Sequence, residues 1–228
     1  MALGPEEIAA NVQAVRADLE AAAAAAGRPP GDVRLIAVSK RVDVAAVEAA
    51  VAAGISELGE NYVQELRETA RAVPGVRWHF IGALQSSTAH HVADVADVVH
   101  TVAGEHAARR LAGRAGRAGR SIDVLLEVDF TGERTGLQPD EVDRAADVVG
   151  GLDALRLRGL MTIAPVSETP EGARPAFRRL RELRDGLRER HPGVTELSMG
   201  MSLDYHVAVQ EGATMVRIGT AVFGPRTP

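Results

Sequence analysis

Cysteine is absent from the 228-residue chain, which excludes a disulfide framework, a thiolate nucleophile and any zinc site built on sulfur. Aromatic residues make up 3%, with one Trp and two Tyr, too few for the stacking platforms that hold single-stranded nucleic acid. Positive charge is also short. The 26 basic and 31 acidic side chains leave a formal charge of −5, so no overall field draws the protein to nucleic acid or anionic membranes. No run of about 18 apolar residues offers a membrane span. The opening MALGPEEIAA lacks the basic segment and apolar core of a signal peptide. A soluble, unprocessed chain with a cytoplasmic address is the default expectation, and 46% hydrophobic with 25% charged residues is ordinary globular composition.

Lysine is scarcest among the charged types: of the 26 basic residues, Lys40 is the single lysine. Arginine replaces lysine as a solvated charge, but it keeps its proton near neutral pH and cannot serve as an amine nucleophile. A lone lysine therefore points to chemistry, or is simply the last one left in an arginine-rich chain.

What is present is a regular alternation of short apolar runs and helical patterns. A helix over 5–26 starts near Pro5, carries Ile8, Val12, Val15 and Leu19 on one face, absorbs the alanine run at 21–26 and stops at Gly27. Asp43 caps a helix bearing Val44, Val47 and Val51, which Gly54 ends. Further helical stretches fall at 61–72, 86–96, 105–118, 139–149, 170–190 and 203–211. Between them lie eight strand candidates: Val33–Val38, Ile55–Leu58, Arg77–Ile81, Val98–Val102, Asp123–Val128, Leu157–Ile163, Glu196–Met199 and Met215–Ile218. Eight strands alternating with helices over roughly 200–250 residues predict one closed parallel (β/α)8 barrel with an extra N-terminal helix, spanning 1–228 as a single domain. An open doubly wound sheet is the rival.

In such a barrel the site lies where strands end, and Lys40 follows the first strand in LIAVSK. A lysine there, its amine neutral among apolar walls and arginines, can attack a carbonyl carbon and form a Schiff base. The carbonyl could belong to a substrate, as in an aldolase, or to pyridoxal phosphate. Loops after strands seven and eight often hold phosphate. Here they read LSMGMS (Leu197, Ser198, Met199, Gly200, Met201, Ser202) and RIGTAVFG from Arg217 to Gly224. Ser198, Ser202 and Thr220 offer hydroxyls, and Gly200 and Gly219 let backbone amides approach an anion. Ser202 could equally be a helix cap and Gly219 a turn. Arg217, among Val216 and Ile218, either faces the barrel interior and needs an acceptor, such as a pyridine nitrogen, or points outward to a helix carboxylate.

The segments LIAVSKRV, GISELGENYVQEL, WHFIGALQS, LRLRGLMTIAP and LSMGMSLDYHVAVQEGATMVRIGTAVFG, in this order over nearly the whole chain, resemble the YggS/PROSC family of pyridoxal phosphate homeostasis proteins. The resemblance implies a single barrel of the alanine racemase N-terminal type without the racemase's second domain. It implies that pyridoxal 5′-phosphate (PLP) is held as a Schiff base on Lys40 and that the protein buffers and delivers cofactor, to PLP-requiring apo-enzymes among others, without robust turnover. It places Asn61 of GENY beside the cofactor, Ser198, Gly219 and Thr220 on the phosphate and Arg217 at the pyridine nitrogen, and it suggests a monomer. A PLP-dependent amino-acid racemase is the alternative, and a lyase using Lys40 without cofactor is a third class. Neither Tyr62 nor Tyr205 is an obvious acid for the opposite face of a bound amino acid, so no catalytic residue is assigned.

The chain also departs from the family pattern, with Val42, Thr88 and Arg134 where relatives often carry lysines, which puts a secondary aldehyde site in doubt. His90 and His91 with Asp94 and Asp97 read as a solvated helix face and not as metal ligands. The arginines of RRLAGRAGRAGR, from Arg109 to Arg120, have helical spacing interrupted by glycines and no aromatic partners. On the third strand Trp78 and Phe80 read as core, while His79 either reaches the site or fills the barrel.

Overall fold

A computed structural model describes residues 3–225. Its elements run α1 (Pro5–Ala25), β1 (Arg34–Val38), α2 (Val44–Ala52), β2 (Glu57–Glu60), α3 (Val63–Ala72), β3 (Arg77–Phe80), α4 (Ala89–Val95), β4 (Val98–Val102), α5 (Glu105–Arg117), β5 (Ile122–Glu127), α6 (Val142–Gly150), β6 (Leu155–Met161), α7 (Arg174–Leu187), β7 (Glu196–Ser198), α8 (Tyr205–Gln210), β8 (Met215–Ile218) and α9 (Thr220–Phe223). The strands pair in parallel and in sequence order, and β8 returns to β1 with Ile36 opposite Arg217. That closure removes the open doubly wound sheet and leaves a barrel with α1 added before the first strand.

Several boundaries differ from the periodicity reading. The second strand is Glu57–Glu60 and not Ile55–Leu58, because Ile55 is occupied in ending α2: its N–H bonds Ala50 O while Gly54 N–H bonds Val51 O, the pairing of a Schellman stop. The sixth strand begins at Leu155 and ends at Met161, since it follows β5 from the Ile122–Leu155 pair onward, and this leaves Ile163 in the loop above. The stretches from 139 and from 170 open with 3₁₀ turns, Pro139–Glu141 and Pro170–Ala173, before α6 and α7. Helix α9 was not foreseen.

One apolar layer lies between strands and helices. A second, inside the barrel, is Ile36, Val98, Leu125, Met161 and Met215, the filled interior expected of this fold. Toward the strand N-termini the interior turns ionic. Arg34 contacts Glu196 at 2.6 Å and Glu57 at 3.7 Å, and Asp123 accepts from Arg77 and, at 2.7 Å, from Arg156. The opposite end opens as a cavity.

Candidate functional site

The loops after the strands surround a cavity of about 580 Å³ whose walls include Lys40, Asn61, Ile81, Arg134, Ile163, Ser202, Asp204, Arg217, Gly219 and Thr220. Its size falls within the range of small-molecule sites. Lys40 is half-buried in a turn closed by Val42 N–H on Ser39 O at 3.0 Å. Arg41 takes φ +56° there, and its N–H donates to Glu65 Oε2 at 2.7 Å. A side-chain-bearing residue in that region costs of order 1–3 kcal/mol and persists only where its surroundings enforce it. Ser39 supplies part of the constraint, since its hydroxyl donates to Glu60 Oε1 at 2.7 Å and its N–H to Gly59 O.

Asn61 is held by close backbone approach. A Cβ on Gly82 would lie 1.9 Å from Asn61 O, so only glycine lets the two loops touch, and Thr101 Oγ1 anchors Gly82 O at 2.5 Å. Among the described residues nothing hydrogen-bonds Asn61 Oδ1, although it is buried. A buried amide oxygen left so is costly unless a ligand completes it.

Arg217 points inward and is 5% exposed. Its Nη1 donates to Ser198 Oγ at 2.6 Å and its Nη2 to Thr162 O at 3.0 Å. Burial draws its pKa down to about 10, against the pull of Glu127 and Asp204. It stays charged at neutral pH and aims a cation at the cavity floor. Across the mouth, Gly219 and Thr220 open α9, where the Thr220 and Ala221 N–H groups have no intrahelical acceptors, and Ser202 lines the same cavity from the loop after β7.

Lys40, Asn61, Ser202, Arg217, Gly219 and Thr220 thus share one cavity. Three expected members do not line it. Ser198 is fully buried below the floor with its hydroxyl committed to Arg217 and His100, Met199 packs in the outer core, and Gly200 O accepts Arg217 N–H at 3.0 Å. Ser198 and Gly200 contact Arg217 from below the floor. His79 fills the barrel. It is fully buried, with Nδ1 2.8 Å from His100 Nε2. Tyr205 OH reaches Asp18 on α1 at 3.3 Å, Asp94 pairs with Arg114, and Asp97 with Arg120. Arg120 also caps carbonyls at the end of α4.

Sequence reasoning missed His100, Glu127 and Asp204. A histidine inside VVHTV and a glutamate inside VLLEV are polar residues on strands otherwise apolar enough for two-sided burial, and that mismatch was the available signal.

The family described as alanine racemase, N-terminal domain, matches residues 10–227. A pyridoxal phosphate homeostasis protein of Pseudomonas aeruginosa is 42% identical over 223 residues, 96% of each chain. One of Escherichia coli K12 is 41% identical over 228 residues, 96% of this chain and 97% of that one. PipY of Synechococcus elongatus, solved with PLP bound, superposes with a TM-score of 0.85 at 36% identity, covering 95% of this chain and 100% of that one.

Proposed function

This chain belongs to the alanine racemase N-terminal domain family, and from that premise we propose that it binds PLP in the cavity above the barrel and serves cofactor homeostasis, without dedicated catalytic turnover. The observation that carries the reading is that the sole lysine opens onto the same cavity as Arg217, Asn61 and the Gly219–Thr220 loop. The donor set suits the cofactor. PLP, when bound, supplies an electrophilic aldehyde and an electron-withdrawing ring. The Lys40 amine would hold the aldehyde carbon covalently. The hydroxyls of Thr220 and Ser202 and the Thr220 and Ala221 amides would hold the phosphate, and the unpartnered Asn61 oxygen would accept from a ring hydroxyl. Arg217, a permanent donor near neutral pH, would face the ring nitrogen and keep it unprotonated, which weakens the ring as an electron sink.

A carrier is favoured over a racemase because neither tyrosine lines the cavity as a second proton-handling group. Burial pushes the Tyr205 phenol up to about 12, and Asp18 adds to that, while Tyr62 stands 47% exposed beside Arg41. We extend the reading to a monomer that passes cofactor to apo-enzymes. Among the described residues no helix is long and apolar enough to cross a membrane.

The test is PLP titration followed by absorbance, with borohydride reduction and mass mapping. The unaltered protein is expected to gain a visible-range band and a reduced adduct at residue 40, both lost in Lys40→Ala. An adduct elsewhere would overturn the site, and racemisation of amino acids at enzymatic rates would overturn the carrier.

A further inference from the structure

We propose that His79 and His100 are positioning residues that, with Ser198 and Glu57, hold Arg217 from beneath and so set the environment of the cofactor's ring nitrogen, an inference resting on the PLP reading above. Four contacts run along the barrel axis from the cavity floor to the ionic base. Arg217 Nη1 lies 2.6 Å from Ser198 Oγ, Ser198 Oγ 2.8 Å from His100 Nδ1, His100 Nε2 2.8 Å from His79 Nδ1, and His79 Nε2 2.8 Å from Glu57 Oε2. The last contact is short but poorly aligned. Both imidazoles are fully buried.

Chemistry at the two ends dictates one direction for every link. A guanidinium only donates and a carboxylate only accepts. Burial would push Glu57 up, but His79, Arg34 and Arg77 together hold it below its usual range, so it is ionised. His79 must then carry its proton on Nε2. Burial lowers the affinity of both rings for a second proton, more so for His100, which also feels His79 and Arg217. A neutral His79 has a bare Nδ1, so His100 donates from Nε2. His100 in turn has a bare Nδ1, so Ser198 donates its hydroxyl proton and accepts from Arg217. No link is left to choose its own orientation, and the guanidinium is pinned on Nη1 by this chain and on Nη2 by Thr162 O.

Without cofactor, long-range 15N spectra of histidine-labelled protein at neutral pH are expected to show His79 and His100 neutral and protonated on Nε2. A charged ring, or a proton on Nδ1, would overturn the chain. With PLP, His100→Phe is expected to weaken binding about tenfold, the usual scale for removing a group that orients a ligand-holding residue, and to shift the absorption maximum. His100→Asn, whose Oδ1 can still accept from Ser198, is expected to recover most of both. Leu125→Met, in the same interior layer but outside the chain, is expected to change neither. Unchanged affinity and spectrum in a folded His100→Phe would overturn the positioning role. If that variant does not fold, His79→Leu, which removes the bare nitrogen that accepts from His100, carries the same expectation. Failure of the unaltered protein to take up PLP would instead sink the cofactor reading, while the tautomers would still decide the chain.

Discussion

Glu127 closes β5 with its side chain inside the barrel and 8% of its surface exposed. Burial pushes its carboxyl up to about 7 from 4.5, Asp129 adds to that, and Arg217 opposes it. The folded state therefore binds this proton more tightly than the unfolded chain, and the sign follows. No penalty exists below about 4.5. It grows as pH rises and is fully present above about 7. Glu127→Gln is expected to gain stability relative to the parent between about pH 5 and pH 8, by of order 1–3 kcal/mol. Urea midpoints of both proteins across that range check it, and a difference independent of pH would refute it. At this scale the chain was partly legible: Lys40 and Arg217 were found because their residue types were rare or out of place. Asn61 came from the resemblance to a known family. His100 and Glu127 escaped because strand alternation assigns a face but not a depth along the barrel.

Four helices end alike. After α1, α2, α5 and α8 a glycine at φ between +65° and +97° follows the cap, its N–H and the next residue's N–H pairing with carbonyls of the last turn: Gly27, Gly54, Gly119 and Gly212. Each stop turns the chain from the outer layer back into a strand, so these glycines set where β1, β2, β5 and β8 begin. Around Gly119 an added Cβ would meet nothing within 4 Å, which isolates the backbone term. Gly119→Ala is expected to cost about 1–2 kcal/mol, read as a lower thermal midpoint. An unchanged midpoint would show that the turn can be made without a left-handed residue. Helix starts and stops were readable because glycine and proline carry a local backbone meaning. Strand edges were not, since Ile55 looks like a strand residue and serves as a helix stop, and Ile163 looks like one and lines the mouth.

The molecule as a whole is held at its base by charge and at its mouth by loops. Asp123 is 8% exposed and accepts from Arg77 on β3 and Arg156 on β6, tying the neighbours of β4 and β5 together. Both arginines are more than a third exposed, so water screens much of the interaction. Asp123→Ala is expected to lose about 1–2 kcal/mol with the cavity's PLP affinity retained. Chemical denaturation and PLP titration of the same sample check both halves, and a large loss of affinity would show that base and mouth are coupled. What the sequence determined by itself was the alternation of eight strands with helices, the class of fold, and a lone lysine at a strand end, because periodicity, glycine stops and residue scarcity are local properties. Tertiary structure decided that the sheet closes, since only β8 pairing with β1 sets Ile36 beside Arg217 and so brings Lys40 and Arg217 to one cavity. It also moved Ser198 from the cavity wall to its foundation, because which side of the floor a strand residue occupies depends on the stagger of all the strands around it.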